Sequence, residues 1–193
     1  MYPELKPYVV LITGGASGLG LAAAHGFAKE GATIVIADLQ EAAAVGVAQQ
    51  LGAQHLGLAC DVADEAQVNR VVDTVIKKYG RVDVLINCAG VADRVAPTVE
   101  QDMAHFRRLV DIHLTGTYMM TKVCAVHMLK QGKGNVINIS SIAGVIGLTY
   151  RNAYSAAKAG ISMITRTLGC EWGAAGIRVN AISAGPIKTL AAS

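Results

Sequence analysis

The chain has 193 residues, of which 52% are hydrophobic and 16% charged, and a formal net charge of +3. This composition excludes a disordered chain and fits a single domain over 1–193 with strands buried on both faces. The basic residues are scattered, without a Lys/Arg run or interleaved aromatic stripe, so no nucleic-acid partner is expected.

The first predicted strand, "YVVLIT" (8–13), runs directly into "TGGASGLG" and then a helix near 19–30. Residues 7–28 lack Lys, Arg, Asp and Glu, but Gly14, Gly15, Gly18 and Gly20 interrupt them. Without a basic leader or cleavage pattern, the stretch is neither a spanning helix nor a signal peptide, and no membrane association is expected. The glycine spacing has a mechanical reading instead. Gly14 allows a sharp turn, Gly18 lets backbone approach a pyrophosphate, and Gly20 allows close helix–strand packing. The helix N-terminus then offers free N–H groups to phosphate.

The second strand, "TIVIAD" (33–38), ends in Asp38, close to the spacing of about 20 residues at which an acid accepts from adenosine ribose hydroxyls. Its charge repels a 2′-phosphate, and Gly15, Leu39 and Gln40 supply no compensating cation. NAD is therefore favoured over NADP. A helix near 40–51, a strand "HLGLAC" (55–60), a helix near 64–79 and a strand "VDVLIN" (82–87) follow. Beyond them come a helix over 101–130, a strand "NVINIS" (135–140), a helix over 153–174 and a strand "IRVNAI" (177–182). The repeated strand–helix unit predicts an α/β, doubly wound, Rossmann-type parallel sheet with helices on both faces and six readable strands. Cys60, Cys88, Cys124 and Cys170 are widely spaced, which points to reduced thiols of a cytoplasmic protein rather than a metal or redox site.

These motifs together resemble the short-chain dehydrogenase/reductase family. "TGGASGLG" resembles its Thr-Gly-x-x-x-Gly-x-Gly loop, "CDV" (60–62) its adenine-contacting Asp-Val, and "NCAG" (87–90) its Asn-Asn-Ala-Gly. "YSAAK" is its Tyr-x-x-x-Lys, with Ser141 where the family keeps a catalytic serine. The resemblance assigns cofactor contacts to Gly14, Ser17, Gly18, Leu19 and Gly20 in the first loop, and to Asp38 and Leu39 after the second strand. It extends them to Asp61, Val62, Asn87, Ala89 and Gly90, to Tyr154 and Lys158, and to Pro186, Ile187 and Thr189.

Tyr154 and Lys158 stand at i and i+4, on one helix face. Tyrosine normally titrates near about 10. A neighbouring ammonium favours its phenolate, which makes Tyr154 a general base in alcohol oxidation and a general acid in ketone reduction. Ser141 is expected to hydrogen-bond the substrate oxygen. The reaction implied is hydride transfer between NAD(H) and a secondary alcohol or ketone. "IAGVIGLTYRN" (142–152) is expected to border the substrate, with Val145, Ile146, Leu148 and Arg151 facing it.

One departure is His113, in "IHLTG", where the family carries an Asn that supports a proton-relaying water. An imidazole offers hydrogen bonds to such a water and titrates near neutral pH. Participation predicts that His113→Asn alters the pH–rate profile. His25, His55, His105 and His127 show no ligand spacing and read as surface or core fillers.

The family pairs its two long helices with those of a second subunit. Here that implies a homodimer or higher homo-oligomer through a set including Leu114, Met119, Met120, Val123, Ala156, Ala157, Gly160 and Met163. The tail "NAISAGPIKT" resembles the enoyl-acyl-carrier-protein reductase branch, yet that branch's wider Tyr–Lys spacing is lacking, since Arg151 holds the position. Family members continue with a substrate-covering segment, a helix and a seventh strand. The sequence thus also reads as a truncated or chimeric dinucleotide-binding fragment, or as an acyl-carrier-linked reductase.

Overall fold

The computed structural model describes residues 2–187. Six strands form one sheet in the order β3-β2-β1-β4-β5-β6, all parallel to their neighbours. They are β1 (Val9–Thr13), β2 (Thr33–Asp38), β3 (Leu56–Ala59), β4 (Val84–Asn87), β5 (Gly134–Ser141) and β6 (Ile177–Ala184). The helices are α1 (Gly18–Lys29), α2 (Glu41–Leu51), α3 (Glu65–Tyr79), α4 (Met103–Val110), α5 (Gly116–Gln131) and α6 (Asn152–Trp172).

Strand side chains alternate between the two faces, and β1 shows the result. Val9 and Leu11 join a core with Val68, Val72 and Met120 of α3 and α5. Val10 and Ile12 join the opposite core with Ala24 and Ala44 of α1 and α2. Every β1 residue is buried, which explains why the strand reads as an unbroken apolar run. Small residues on α1 and α2 let these helices lie close; a Cβ on Gly57 of β3 would collide with the backbone of Ala44 and Val45.

The sequence-predicted helix over 101–130 is two α-helices joined by one π-helical turn, Asp111–Thr115. The wider turn shifts the phase of the helix and buries Ile112 and His113 together. Asp102 caps the start of α4 by accepting from the Ala104 amide at 3.0 Å.

A buried polar ladder crosses the sheet beneath the site. The Asn87 amide donates to the Thr121 hydroxyl (2.9 Å) and to the Asn138 carbonyl oxygen (2.8 Å). Asn138 donates in turn to the Thr165 hydroxyl at 2.9 Å. It thereby links α5, β4, β5 and α6, and so fixes the strand ends that carry the site.

Candidate active site

The chain order reverses between β1 and β4, and the carboxyl ends of the strands there open into a crevice, as expected for an open α/β sheet. This cleft, about 420 Å³, is lined by Gly14, Ser17, Gly18 and Leu19 from the glycine loop, and by Asp38 and Leu39 from the end of β2. Asp61, Val62, Ala89 and Gly90 line the cleft beside them. Ser141, Tyr154, Lys158 and His113 line the same cleft.

The loop is built to be bare. Gly14 sits at φ +63°, and a Cβ there would lie 2.7 Å from Ala89 Cα. Gly20 does not line the cleft; a Cβ on it would collide with the Gly14 carbonyl oxygen, so it packs the helix onto the turn. The Thr13 hydroxyl accepts from the Cys88 and Ala89 amides at 3.1 and 3.2 Å, tying the β1 and β4 loops together. Ser17 is the N-cap of α1, and its hydroxyl makes no cap hydrogen bond. The Asp38 carboxylate accepts from the Ala16 amide on one oxygen and the Gln40 amide on the other, each at 3.1 Å. These bonds hold it at the rim of the glycine loop. A bare turn, a helix N-terminus and an oriented carboxylate fit a dinucleotide.

Asn87 is placed elsewhere. It is buried, outside the cleft lining, and its side chain belongs to the polar ladder. Its side chain supports the strand ends from below the cleft. Ile187 lines the cleft, Pro186 does not, and Thr189 lies outside the described residues.

On another wall of the cleft, α6 presents Tyr154 and Lys158 one turn apart. The Lys158 ammonium stands 5.5 Å from the Tyr154 ring centroid and donates to the Ile139 carbonyl at 2.7 Å. Burial pushes the Lys158 amine down to about 8, because the charged form is desolvated. The Ser141 oxygen accepts from the Ala143 amide at 3.1 Å, which leaves its hydroxyl hydrogen available to the cleft.

His113 departs from expectation. Its Nε2 lies 3.0 Å from the Val91 carbonyl and 3.3 Å from the Val91 amide, and its Nδ1 is buried without a partner among the described residues. Burial, and secondarily the Lys158 charge, push the imidazole down to about 4. It therefore stays neutral where the sequence suggested a group titrating near neutral pH. A Cβ on Gly90 would come within 2.5 Å of the His113 ring, so the glycine of "NCAG" is also the imidazole's seat.

Val145, Ile146, Leu148 and Arg151 do not line this cleft, and Val145 and Ile146 project from their loop at 71% and 55% exposure. Arg108, Ile112, Cys88 and Val91 line it without having been singled out as site residues. Cys88 and Val91 flank identified motif positions, whereas Arg108 is brought in by α4 and Ile112 by the π-turn after it, neither of which a local motif marks. Among the other histidines, His55 is a core filler whose Nδ1 accepts from the Ile34 amide at 2.9 Å. Among the described residues no group of three metal-ligating side chains comes together, and no helix is long and apolar enough to cross a membrane.

Comparison with known proteins agrees with this geometry. The family model for short chain dehydrogenases matches residues 8–193. The chain is 41% identical over 183 residues to D-threitol dehydrogenase of Mycolicibacterium smegmatis, covering 93% of this chain and 70% of that one. It is 36% identical over 189 residues to the 3-oxoacyl-[acyl-carrier-protein] reductase of Thermotoga maritima, covering 96% of this chain and 76% of that one. Among solved structures, NAD+-bound xylitol dehydrogenase superposes with a TM-score of 0.91 at 32% identity, covering 94% of this chain and 71% of that one. An open parallel sheet, a bare glycine turn and this extent of likeness assign the chain to the short-chain dehydrogenase family.

Proposed function

We propose that the chain is an NAD(H)-dependent oxidoreductase that interconverts a secondary alcohol and a ketone, with Tyr154 as general acid/base. The observation that carries this reading is the meeting of Ser141, Tyr154 and Lys158 in one cleft with the glycine loop. Relatives named for threitol and for cis-4-hydroxycyclohexanecarboxylate oxidation support a hydroxyl-bearing carbon as the reacting centre.

When bound, the nicotinamide cofactor takes up or supplies the hydride. The protein's own residues handle the proton. In oxidation, the Tyr154 phenolate takes the proton of the substrate hydroxyl while the Ser141 hydroxyl donates to that oxygen. The Lys158 ammonium stands over the ring, and its bond to the Ile139 carbonyl holds it there. In reduction, Tyr154 returns the proton to the developing alkoxide. His113 contributes a neutral ring whose buried Nδ1, without a partner among the described residues, would serve a proton-relaying water. Asp38, held by two backbone amides, favours NAD over NADP.

Two faces of the chain favour a homodimer. On α5, Tyr118, Val126 and Leu129 are exposed, and on α6 Met163 is 57% exposed beside exposed Ala156 and Ala159. Met120 and Ala157, by contrast, are fully buried within the chain's own core, and Leu114 packs on Gly160. The free thiols Cys60, Cys88, Cys124 and Cys170 fit a cytoplasmic, reducing setting.

A second reading, reduction of an acyl-carrier-linked 3-oxo group, is favoured by the likeness to the Thermotoga maritima reductase. Turnover of secondary alcohols with NAD, compared with NADH consumption on a 3-oxoacyl thioester, separates the two. Tyr154→Phe should abolish either activity while retaining NADH fluorescence binding; retained turnover refutes Tyr154 as the acid/base.

A further inference from the structure

Two loops leave the catalytic end of the sheet. One, 91–102, starts at Val91 in the cleft wall, and the other, 142–151, connects Ser141 to the helix that carries Tyr154. We propose that Gln101 is a positioning residue that bolts these loops together and so sets the shape of the substrate entrance. This rests on the proposed alcohol/ketone chemistry only for where the substrate enters.

The Gln101 amide nitrogen donates to the Ala96 carbonyl of its own loop at 2.9 Å and to the Tyr150 carbonyl of the other at 3.1 Å. Two carbonyl acceptors require the NH₂ end of the side chain, which fixes its orientation. Beside it, the Asn152 amide donates to the Thr98 hydroxyl at 2.8 Å and ties the first loop to the start of α6. At the other end of that loop, the Asp93 carboxylate lies 3.4 Å from His105 of α4.

The bolted residue is strained. Tyr150 adopts φ +67°, the only positive φ outside glycine among the described residues. A bulky side chain disfavours this backbone, and such residues persist where surrounding contacts hold them, often beside functional sites. The Gln101 bond to the Tyr150 carbonyl supplies that hold. The Tyr150 side chain itself is 48% exposed, so core packing does not account for its conformation. Tyr154 follows within the first turn of α6, directly after the bolted segment.

Hydrogen–deuterium exchange on the full chain tests the bolt without needing turnover. Gln101→Ala should speed exchange in 145–152 by about five- to tenfold and leave the β1 amides unchanged. Gln101→Glu has the same size but no N–H to donate, and should behave like Gln101→Ala. In parallel, with saturating NAD, KM for cyclohexanol should rise severalfold in both variants while kcat changes less than twofold. Unchanged exchange in 145–152, or a Gln101→Glu protein that exchanges as the parent does, overturns the proposal. A parent protein without turnover on any alcohol refutes the proposed reaction instead, and the exchange result still decides the bolt. Faster exchange with KM unmoved limits Gln101 to a structural tie and overturns its role at the entrance.

Discussion

The imidazole of His113 stands edge-on to the ring of Tyr154, with centroids 5.3 Å apart and planes at 90°. The same imidazole is bound through Nε2 to the Val91 backbone. Tyr154 is thus connected through the imidazole to Val91 in the cleft wall. The π-turn makes this possible, because it buries His113 in the middle of an otherwise continuous helix.

Two consequences follow for His113. His113→Phe keeps a ring against Tyr154 but loses both nitrogens, whereas His113→Asn restores the amide that the family uses. If Nδ1 serves the proton path, His113→Phe should lower kcat on the order of 10²-fold with NADH affinity retained, and His113→Asn should recover most of it. Equal kcat in the parent and His113→Phe excludes the relay. The second consequence concerns stability. The folded-state value of about 4 lies below the ordinary histidine value of 6.5, so the unfolded chain binds more protons between those limits. His113 therefore costs stability progressively as pH falls from about 6.5 to about 4, on the order of 3 kcal/mol when complete. Thermal denaturation from pH 7 to pH 4 should show a shallower loss in His113→Asn than in the parent.

Lys158 gives opposite signs for stability and activity. Its amine is lowered to about 8 from 10.5 by burial, so between those values the unfolded chain binds more protons and stability gains as pH rises. Lys158→Met removes the buried charge and should leave Tm at pH 7 unchanged or higher. Turnover should fall on the order of 10²-fold or more, since the cation beside the proposed acid/base is then lost. In the parent, kcat/KM should turn downward above about pH 8, as the free protein loses that ammonium. A Lys158→Met protein with parental turnover contradicts the assigned role.

Much of this was legible in the sequence because local chemistry wrote it there. β1 reads as a strand because all five residues are buried on both faces. The glycine loop reads as a turn because Gly14 needs its positive φ and Gly20 has no room for a side chain. Tyr154 and Lys158 share a face by helical period alone. What remained hidden depends on tertiary packing. A π-turn leaves no compositional trace, so neither the burial of His113 nor its depressed titration was visible. Asn87 stands inside a cofactor motif, yet its partners Thr121 and Asn138 come from other elements, so only the packed structure reveals its supporting role. Gln101 and Tyr150 are far apart in the chain, and nothing in either segment announces the bond between them.

The proposed preference for NAD rests on Asp38. Its carboxylate is oriented by the Ala16 and Gln40 amides, and Leu39 beside it is 58% exposed and carries no charge. Asp38→Ser together with Leu39→Arg removes the repulsion and adds a cation for a 2′-phosphate. The double variant should shift the ratio of kcat/KM for NAD over NADP by about 10²-fold or more toward NADP. Preference for NADP already in the parent refutes the assignment of NAD.

The proposed dimer contact lies on α5 and α6. Tyr118, Val126 and Leu129 follow one another along the exposed side of α5, and Ala156, Ala159 and Met163 do so on α6. Each series recurs at helical spacing, so each forms a stripe. Small residues on α6 leave room for a partner helix to approach closely, and the larger side chains of α5 supply area to bury. Burying a Val or Met side chain contributes about 1.5–3 kcal/mol, counted twice across a two-fold axis. Introducing a carboxylate at the centre of such a contact forces two like charges together out of water. Val126→Glu and Met163→Glu should each convert a dimer into a monomer in sedimentation at micromolar concentration, and Lys122→Glu at the same stripe should do so more weakly. A parent chain that sediments as a monomer across that range removes these helices as an interface.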